Sequence, residues 1–98
     1  MDVHLIIACS KQLPIRYYPS DGVWIRRGSH FYNRTLPFFV EVEVQQNINR
    51  VQEYIVEIER QYKKVELEII TQNGLYYEQL CTAFPYAIST ENRLYIVK

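Results

Sequence analysis

The sequence has few of the residues that carry disulfide and nucleophilic chemistry. Of its 98 residues, two are cysteines and two are histidines, and no CxxC, HExxH, Walker or dinucleotide-binding glycine motif occurs. Two cysteines do not make a disulfide framework, so we expect Cys9 and Cys81 to be small buried thiols. Cys9 with His30 or His4 is chemically suited to a thiol–imidazole pair, but the sequence does not show that these residues meet. We therefore predict a protein that is not an enzyme and has neither metal nor cofactor.

The sequence also has no long apolar run and no net charge. No stretch approaches the roughly 20 apolar residues of a membrane span. The short apolar run at residues 5–9 follows no lysine or arginine, which is unlike a signal peptide. Eleven basic and eleven acidic residues balance each other. We therefore expect a cytoplasmic protein with no membrane partner, whose charge matters only where it is locally uneven.

The clearest pattern that is present is an apolar stripe between residues 48 and 65. Six apolar residues recur there at intervals of three and four, namely Ile48, Val51, Ile55, Ile58, Tyr62 and Val65. This spacing puts them on one side of an α-helix. Asn47 or Asn49 is suited to cap its first turn. The pattern predicts one principal amphipathic helix over about residues 48–64.

Alternating apolar residues on either side of this stripe predict strands. Residues 3–9 are apolar on both faces, as in a central strand. Residues 38–44 and 65–69 alternate valine, leucine or isoleucine with glutamates on what we expect to be a solvated face. These glutamates are Glu41, Glu43, Glu66 and Glu68. We predict an α+β fold in one domain, residues 1–98, with a mixed, mostly antiparallel sheet and the helix packed on one face.

Turn residues predict three hairpins. The first joins residues 15–18 to 23–27 through a Pro-Ser-Asp-Gly turn. The second surrounds Asn73-Gly74, a dipeptide that favours a type I′ turn. The third would join residues 86–89 to 94–97.

Charge is concentrated in residues 11–40, which hold five basic residues and one acid, interleaved with aromatic residues. Arginine attracts phosphate and aromatic rings stack on bases, so this mixture suits flexible nucleic acid or a protein partner. The candidate binding residues are Arg16, Tyr17, Tyr18, Trp24, Arg26, Arg27, His30, Phe31, Tyr32 and Arg34. The same arginines are also suited to neutralise the strand glutamates, within the chain or from a second copy, because like charges on neighbouring strands cost stability.

These observations favour a small accessory protein that acts through protein–protein contacts and forms a homodimer. A chain of this length buries only about 60–65% of its unfolded surface, which makes a shared core attractive. Compact tyrosine-rich chains of this kind are frequent in viruses and mobile elements. The alternative is a protein that binds single-stranded nucleic acid through residues 11–34.

One segment resembles a known family. Residues 13–35 include Tyr17-Tyr18, the run Gly-Val-Trp-Ile-Arg-Arg-Gly-Ser at residues 22–29, and Asn33-Arg34-Thr35. This segment resembles the hairpin and Arg-x-Gly-Ser segment of Schlafen/AlbA-type DNA-binding domains. It covers less than a quarter of the chain. The resemblance implies nucleic-acid binding by these residues and so adds to the alternative.

Overall fold

The structure is a computed structural model, and it describes residues 3–28 and 36–98. Within them the chain forms a sheet and two α-helices. The strands are β1 (Leu5–Cys9), β2 (Arg16–Tyr18), β3 (Val23–Arg27), β4 (Phe38–Val44), β5 (Glu66–Thr71), β6 (Ile88–Thr90) and β7 (Arg93–Val97). The helices are α1 (Ile48–Gln61), between β4 and β5, and α2 (Gly74–Ala83), between β5 and β6.

All seven strands belong to one sheet, in the order β2-β3-β4-β1-β5-β7-β6, and each pairing is antiparallel. The α+β prediction is therefore confirmed, with β1 in the central position that its apolar faces predict. The predicted sheet was mixed, and this part is wrong, because no two strands of the described residues pair in parallel. β4 and β5 do not pair, because β1 lies between them. Glu41 of β4 consequently stands beside Ile6, and Glu68 of β5 stands beside Ala8. This order keeps the two rows of glutamates apart.

Both helices lie on the same face of the sheet, which we call the helix face. Its side chains from β1, β4 and β5 are almost entirely apolar and form one continuous core with residues of both helices. Side chains alternate along each strand, so residues one position away point to the opposite face. Residues paired across neighbouring strands lie on the same face, so the registers assign the residues of the other strands to one face or the other.

α1 follows the predicted stripe. The Asn47 side chain caps it by accepting a hydrogen bond from the Asn49 N–H at 3.0 Å. Val51, Ile55 and Ile58 are fully buried against the sheet. The helix ends at Gln61, three residues earlier than predicted, because the backbone of the next residue is already extended. The connection to β5 then keeps Val65 in the core without helical geometry.

The prediction of a hairpin around Asn73-Gly74 is wrong, because α2 begins at Gly74. Asn73 is the N-cap of this helix, and its side-chain oxygen accepts a hydrogen bond from the Tyr76 N–H at 3.1 Å. Tyr76, Leu80 and Phe84 recur every four residues, and they pack on the core cluster or belong to it. This spacing was the available sequence signal, and packing on the sheet outweighs the local preference of Asn-Gly for a turn.

The other two predicted hairpins are present. Between β2 and β3, residues Pro19–Asp21 form a short 3-10 helix, and Gly22 follows at φ +65°. That left-handed conformation strains any residue with a β-carbon. Between β6 and β7, Asn92 occupies the same region at φ +62°. No helix in residues 3–28 or 36–98 is long and apolar enough to cross a membrane.

Candidate interaction surface

The sheet divides the described part of the arginine and aromatic segment between its two faces. Strand alternation and register place Arg16, Tyr18 and Arg27 on the helix face, beside the apolar core residues of β3 and β4. Tyr17, Trp24 and Arg26 lie on the opposite face. Four further candidates lie outside the described residues, namely His30, Phe31, Tyr32 and Arg34. The ten predicted site residues therefore do not form one continuous surface.

The helix-face arginines contact neighbouring parts of the fold. Arg16 Nη2 lies 3.7 Å from a carboxylate oxygen of Glu57 on α1, with both side chains partly exposed. Arg27 Nη1 donates a hydrogen bond to the Leu13 carbonyl at 3.2 Å. The Tyr18 ring lies under the guanidinium of Arg50, 4.7 Å from the ring centroid. These contacts attach the hairpin to α1 and to the edge of the core.

On the opposite face, Tyr17, Trp24 and Arg26 form what we call the hairpin patch. Tyr17 pairs directly with Trp24 across β2 and β3, and its side chain is 59% exposed. Trp24 and Arg26 lie opposite Glu43 and Glu41 of β4. Arg26 Nη2 is 3.6 Å from the Glu41 carboxylate, which is buried. The patch thus combines an exposed ring, a half-buried ring and an arginine held against an acid.

The prediction of a solvated glutamate face is wrong for three of the four strand glutamates. Glu41, Glu43 and Glu68 are 1%, 7% and 0% exposed, and only Glu66 is exposed. Burying a carboxylate is costly unless cations or hydrogen-bond donors compensate it. Arg26 is one of the groups that compensate Glu41. This contact agrees with the prediction that the arginines neutralise strand glutamates within the chain. The alternation of strand residues alone does not show which polar faces are buried.

The partner of Glu68 comes from outside the predicted site. Arg93 Nη1 donates a hydrogen bond to Glu68 Oε2 at 2.7 Å, and this bond raises the pKa of the arginine. Arg93 belongs to β7, which lies beside β5 in the sheet although 25 residues separate the two partners. No local sequence signal links them, because the pairing depends on strand order.

Two polar atoms on the opposite face are buried without a hydrogen-bond partner in the described structure. They are Arg26 Nη1 and Glu43 Oε1. The other carboxylate oxygen of Glu43 accepts a hydrogen bond from the Gln45 side chain at 2.6 Å. Buried polar atoms are nearly always paired, so an unpaired donor and acceptor in one area stand out.

Two of the residues considered for nucleophilic chemistry, His4 and Cys9, contribute to the fold. His4 Nδ1 accepts a hydrogen bond from the Val44 N–H at 2.8 Å. Cys9 and Cys81 are free thiols, and burial raises the pKa of Cys9. The prediction of a buried thiol is confirmed for Cys9 and wrong for Cys81, which is only partly buried on α2. Cys9 points into the helix-face core. In residues 3–28 and 36–98, no group of three histidine, cysteine, aspartate or glutamate residues is placed to hold a metal ion.

Comparisons of the chain with protein-family models, with curated proteins and with solved structures found no match. The resemblance of residues 13–35 to Schlafen/AlbA-type domains therefore stays a prediction from its motif.

Proposed function

We propose that this is a non-enzymatic binding protein that forms a homodimer through the hairpin patch. The observation that carries the proposal is the composition and exposure of that patch. Tryptophan, tyrosine and arginine are the residues most enriched at the energetic centres of protein interfaces. Tyr17, Trp24 and Arg26 bring one of each together on two short paired strands. Tyr17 exposes more than half of its surface to solvent.

A second copy is the partner that the charges of this surface favour. A two-fold interface brings the same patch of both subunits together, so opposite charges within one patch can complement each other. Arg26 supplies a donor without a partner, and Glu43 supplies an acceptor without a partner. A rearrangement of these side chains across a two-fold axis would pair each atom with its counterpart. The small size of the chain also favours a dimer, because a core shared by two subunits adds buried area.

Nucleic-acid binding through residues 11–34 has less support. Tyr17 and Trp24 are suited to stack on bases. Glu41 and Glu43 lie directly opposite Arg26 and Trp24, however, and their carboxylates repel phosphate. Arg26 already contacts Glu41. This surface therefore offers little uncompensated positive charge to a phosphate backbone.

Analytical ultracentrifugation of the protein and of two variants tests the proposal. We expect a dimer at micromolar concentration, and Tyr17→Ala should raise its dissociation constant about 10-fold or more, as for an interface hot spot. Leu75→Ala is the matched control, since Leu75 on α2 is 60% exposed and lies away from the patch. It should change the dissociation constant by less than about twofold.

A strictly monomeric protein at all accessible concentrations would disprove the homodimer. Equal effects of Tyr17→Ala and Leu75→Ala would place the interface elsewhere. A low-salt titration with a single-stranded oligonucleotide, followed by Trp24 fluorescence, tests the nucleic-acid alternative. Quenching that disappears steeply with added salt would favour it over the protein interface.

A further inference from the structure

Three strand ends bring lysines from distant parts of the sequence to one end of the sheet. β1 ends at Cys9, β5 begins at Glu66 and β7 ends at Val97, and these strands are neighbours in the order β1-β5-β7. Lys11, Lys64 and Lys98 follow or precede those ends by one or two residues. Adjacent strands are about 4.8 Å apart, so the three strand ends span only about 10 Å.

The three lysines line a cleft of about 320 Å³. Its other lining residues are Ser10, Val65, Glu66 and Val97. Hydrogen bonds of the backbone and of the Ser10 side chain connect the segments that line the cleft. The Ser10 N–H donates to the Glu66 carbonyl, and the Glu66 N–H donates to Ser10 Oγ, both at 3.0 Å. The Lys98 N–H donates to the Val65 carbonyl, also at 3.0 Å.

Among the side chains that line this cleft, three are basic and one is acidic. Lys11 and Lys64 are exposed, and neither forms an ion pair with any described residue. Lys98 Nζ lies 3.7 Å from the Glu59 carboxylate. Glu66 is the acidic residue among those that line the cleft.

Glu59 of α1 already accepts a hydrogen bond from Tyr86. Each of its carboxylate oxygens lies 2.8 Å from the Tyr86 hydroxyl, which donates to this carboxylate. Burial and this acceptor raise the pKa of Tyr86 to about 12. Among the described residues, Glu59 forms an ion pair with Lys98 and none with Lys11 or Lys64, so the charges of Lys11 and Lys64 stay available to a ligand.

We propose that this cleft binds a small multivalent phosphate anion. Lysine acts as a point charge toward phosphate, and a tetrahedral anion presents oxygens to ammonium groups that approach from several sides. Ser10 Oγ accepts the Glu66 N–H, so its own hydrogen remains available to donate to a phosphate oxygen. The proposal does not depend on the hairpin patch, which lies on other strands.

Pyrophosphate titration of the ¹⁵N-labelled protein at low ionic strength tests this site. We expect amide shifts concentrated at Ser10, Lys11, Val65 and Lys98. Lys11→Gln and Lys64→Gln should each weaken binding at least about fivefold, in the range of one lost charge-assisted contact. Lys63→Gln is the matched control, because Lys63 is also an exposed lysine but does not line the cleft. It should weaken binding less than about twofold.

The titration can contradict the proposal in two ways. Absence of binding at low ionic strength would overturn the proposal. Equal effects of Lys63→Gln and Lys64→Gln would also overturn it, since they would show only general attraction to a basic surface. A parallel titration with a short single-stranded oligonucleotide distinguishes the source of the phosphate. Tighter binding of the oligonucleotide, with the same dependence on Lys11 and Lys64, would identify the ligand as a nucleic-acid backbone.

Discussion

The two faces of the sheet achieve burial by different means. On the helix face, valine, leucine and isoleucine side chains pack against two helices and need no polar partner. On the opposite face, Glu41 and Glu68 are as inaccessible as the core residues, and each contacts an arginine from a neighbouring strand. The comparison shows that an alternating strand can be buried on both sides when the strand order supplies opposite charges.

The difference has an energetic consequence. Apolar packing loses stability in proportion to the cavity that a smaller residue leaves. A buried ion pair contributes little beyond a matched apolar pair, but the loss of one partner is costly. The two faces should therefore respond differently to truncation and to double substitution.

The largest effect is expected on the helix face. Ile55→Ala should lower the free energy of unfolding by about 2–5 kcal/mol, because Ile55 of α1 is fully buried against the sheet and its truncation leaves a cavity. Urea denaturation measures this change. Arg60→Ala on the exposed side of the same helix should change the free energy by no more than about 0.5 kcal/mol. Similar losses in both variants would contradict the assigned orientation of α1.

An intermediate effect is expected on the opposite face. Arg93→Met should lower the free energy of unfolding by about 1.5–3 kcal/mol, because Glu68 loses a charge-assisted hydrogen bond in a buried position. Arg93→Met combined with Glu68→Met should recover most of that loss, because the second change removes the buried charge. Urea denaturation of the two single variants and the double variant completes the cycle.

The control for this cycle is the exposed pair on the helix face. Arg16→Met removes the contact with Glu57, in which both partners are more than 40% exposed, and should cost less than about 1 kcal/mol. If Arg93→Met cost no more than Arg16→Met, the ion pairs of the opposite face would have no special role.

The smallest effect is expected at Gly74, where the structure has a helix and the Asn-Gly sequence favours a turn. Gly74 begins α2, and a β-carbon built on it meets no atom within 4 Å. Gly74→Ala should therefore raise the free energy of unfolding by about 0.4–1 kcal/mol by restricting the unfolded chain. In a type I′ turn the same residue would need a positive φ, and alanine would destabilise it. Thermal denaturation gives the sign of the change.

The candidate site was only partly predictable. Tyr17, Trp24 and Arg26 are predicted as binding residues because arginine and aromatic side chains are concentrated in that segment. Their separation from Arg16, Tyr18 and Arg27 follows from strand alternation, once the hairpin is paired with β4. The lysine cleft was not predictable, because its three lysines come from strand ends that only the sheet order makes neighbours.

The sequence by itself determined the local elements whose periodicity is strong. The stripe of α1, the alternation of β4 and β5 and the turns with positive φ each follow from short-range spacing and backbone sterics. Tertiary structure decided whether Asn73 caps a helix or begins a turn, because packing of Leu80 and Phe84 on the sheet depends on distant strands. It also decided which glutamates are buried and which arginines meet them, since electrostatic partners are set by strand order and not by sequence distance.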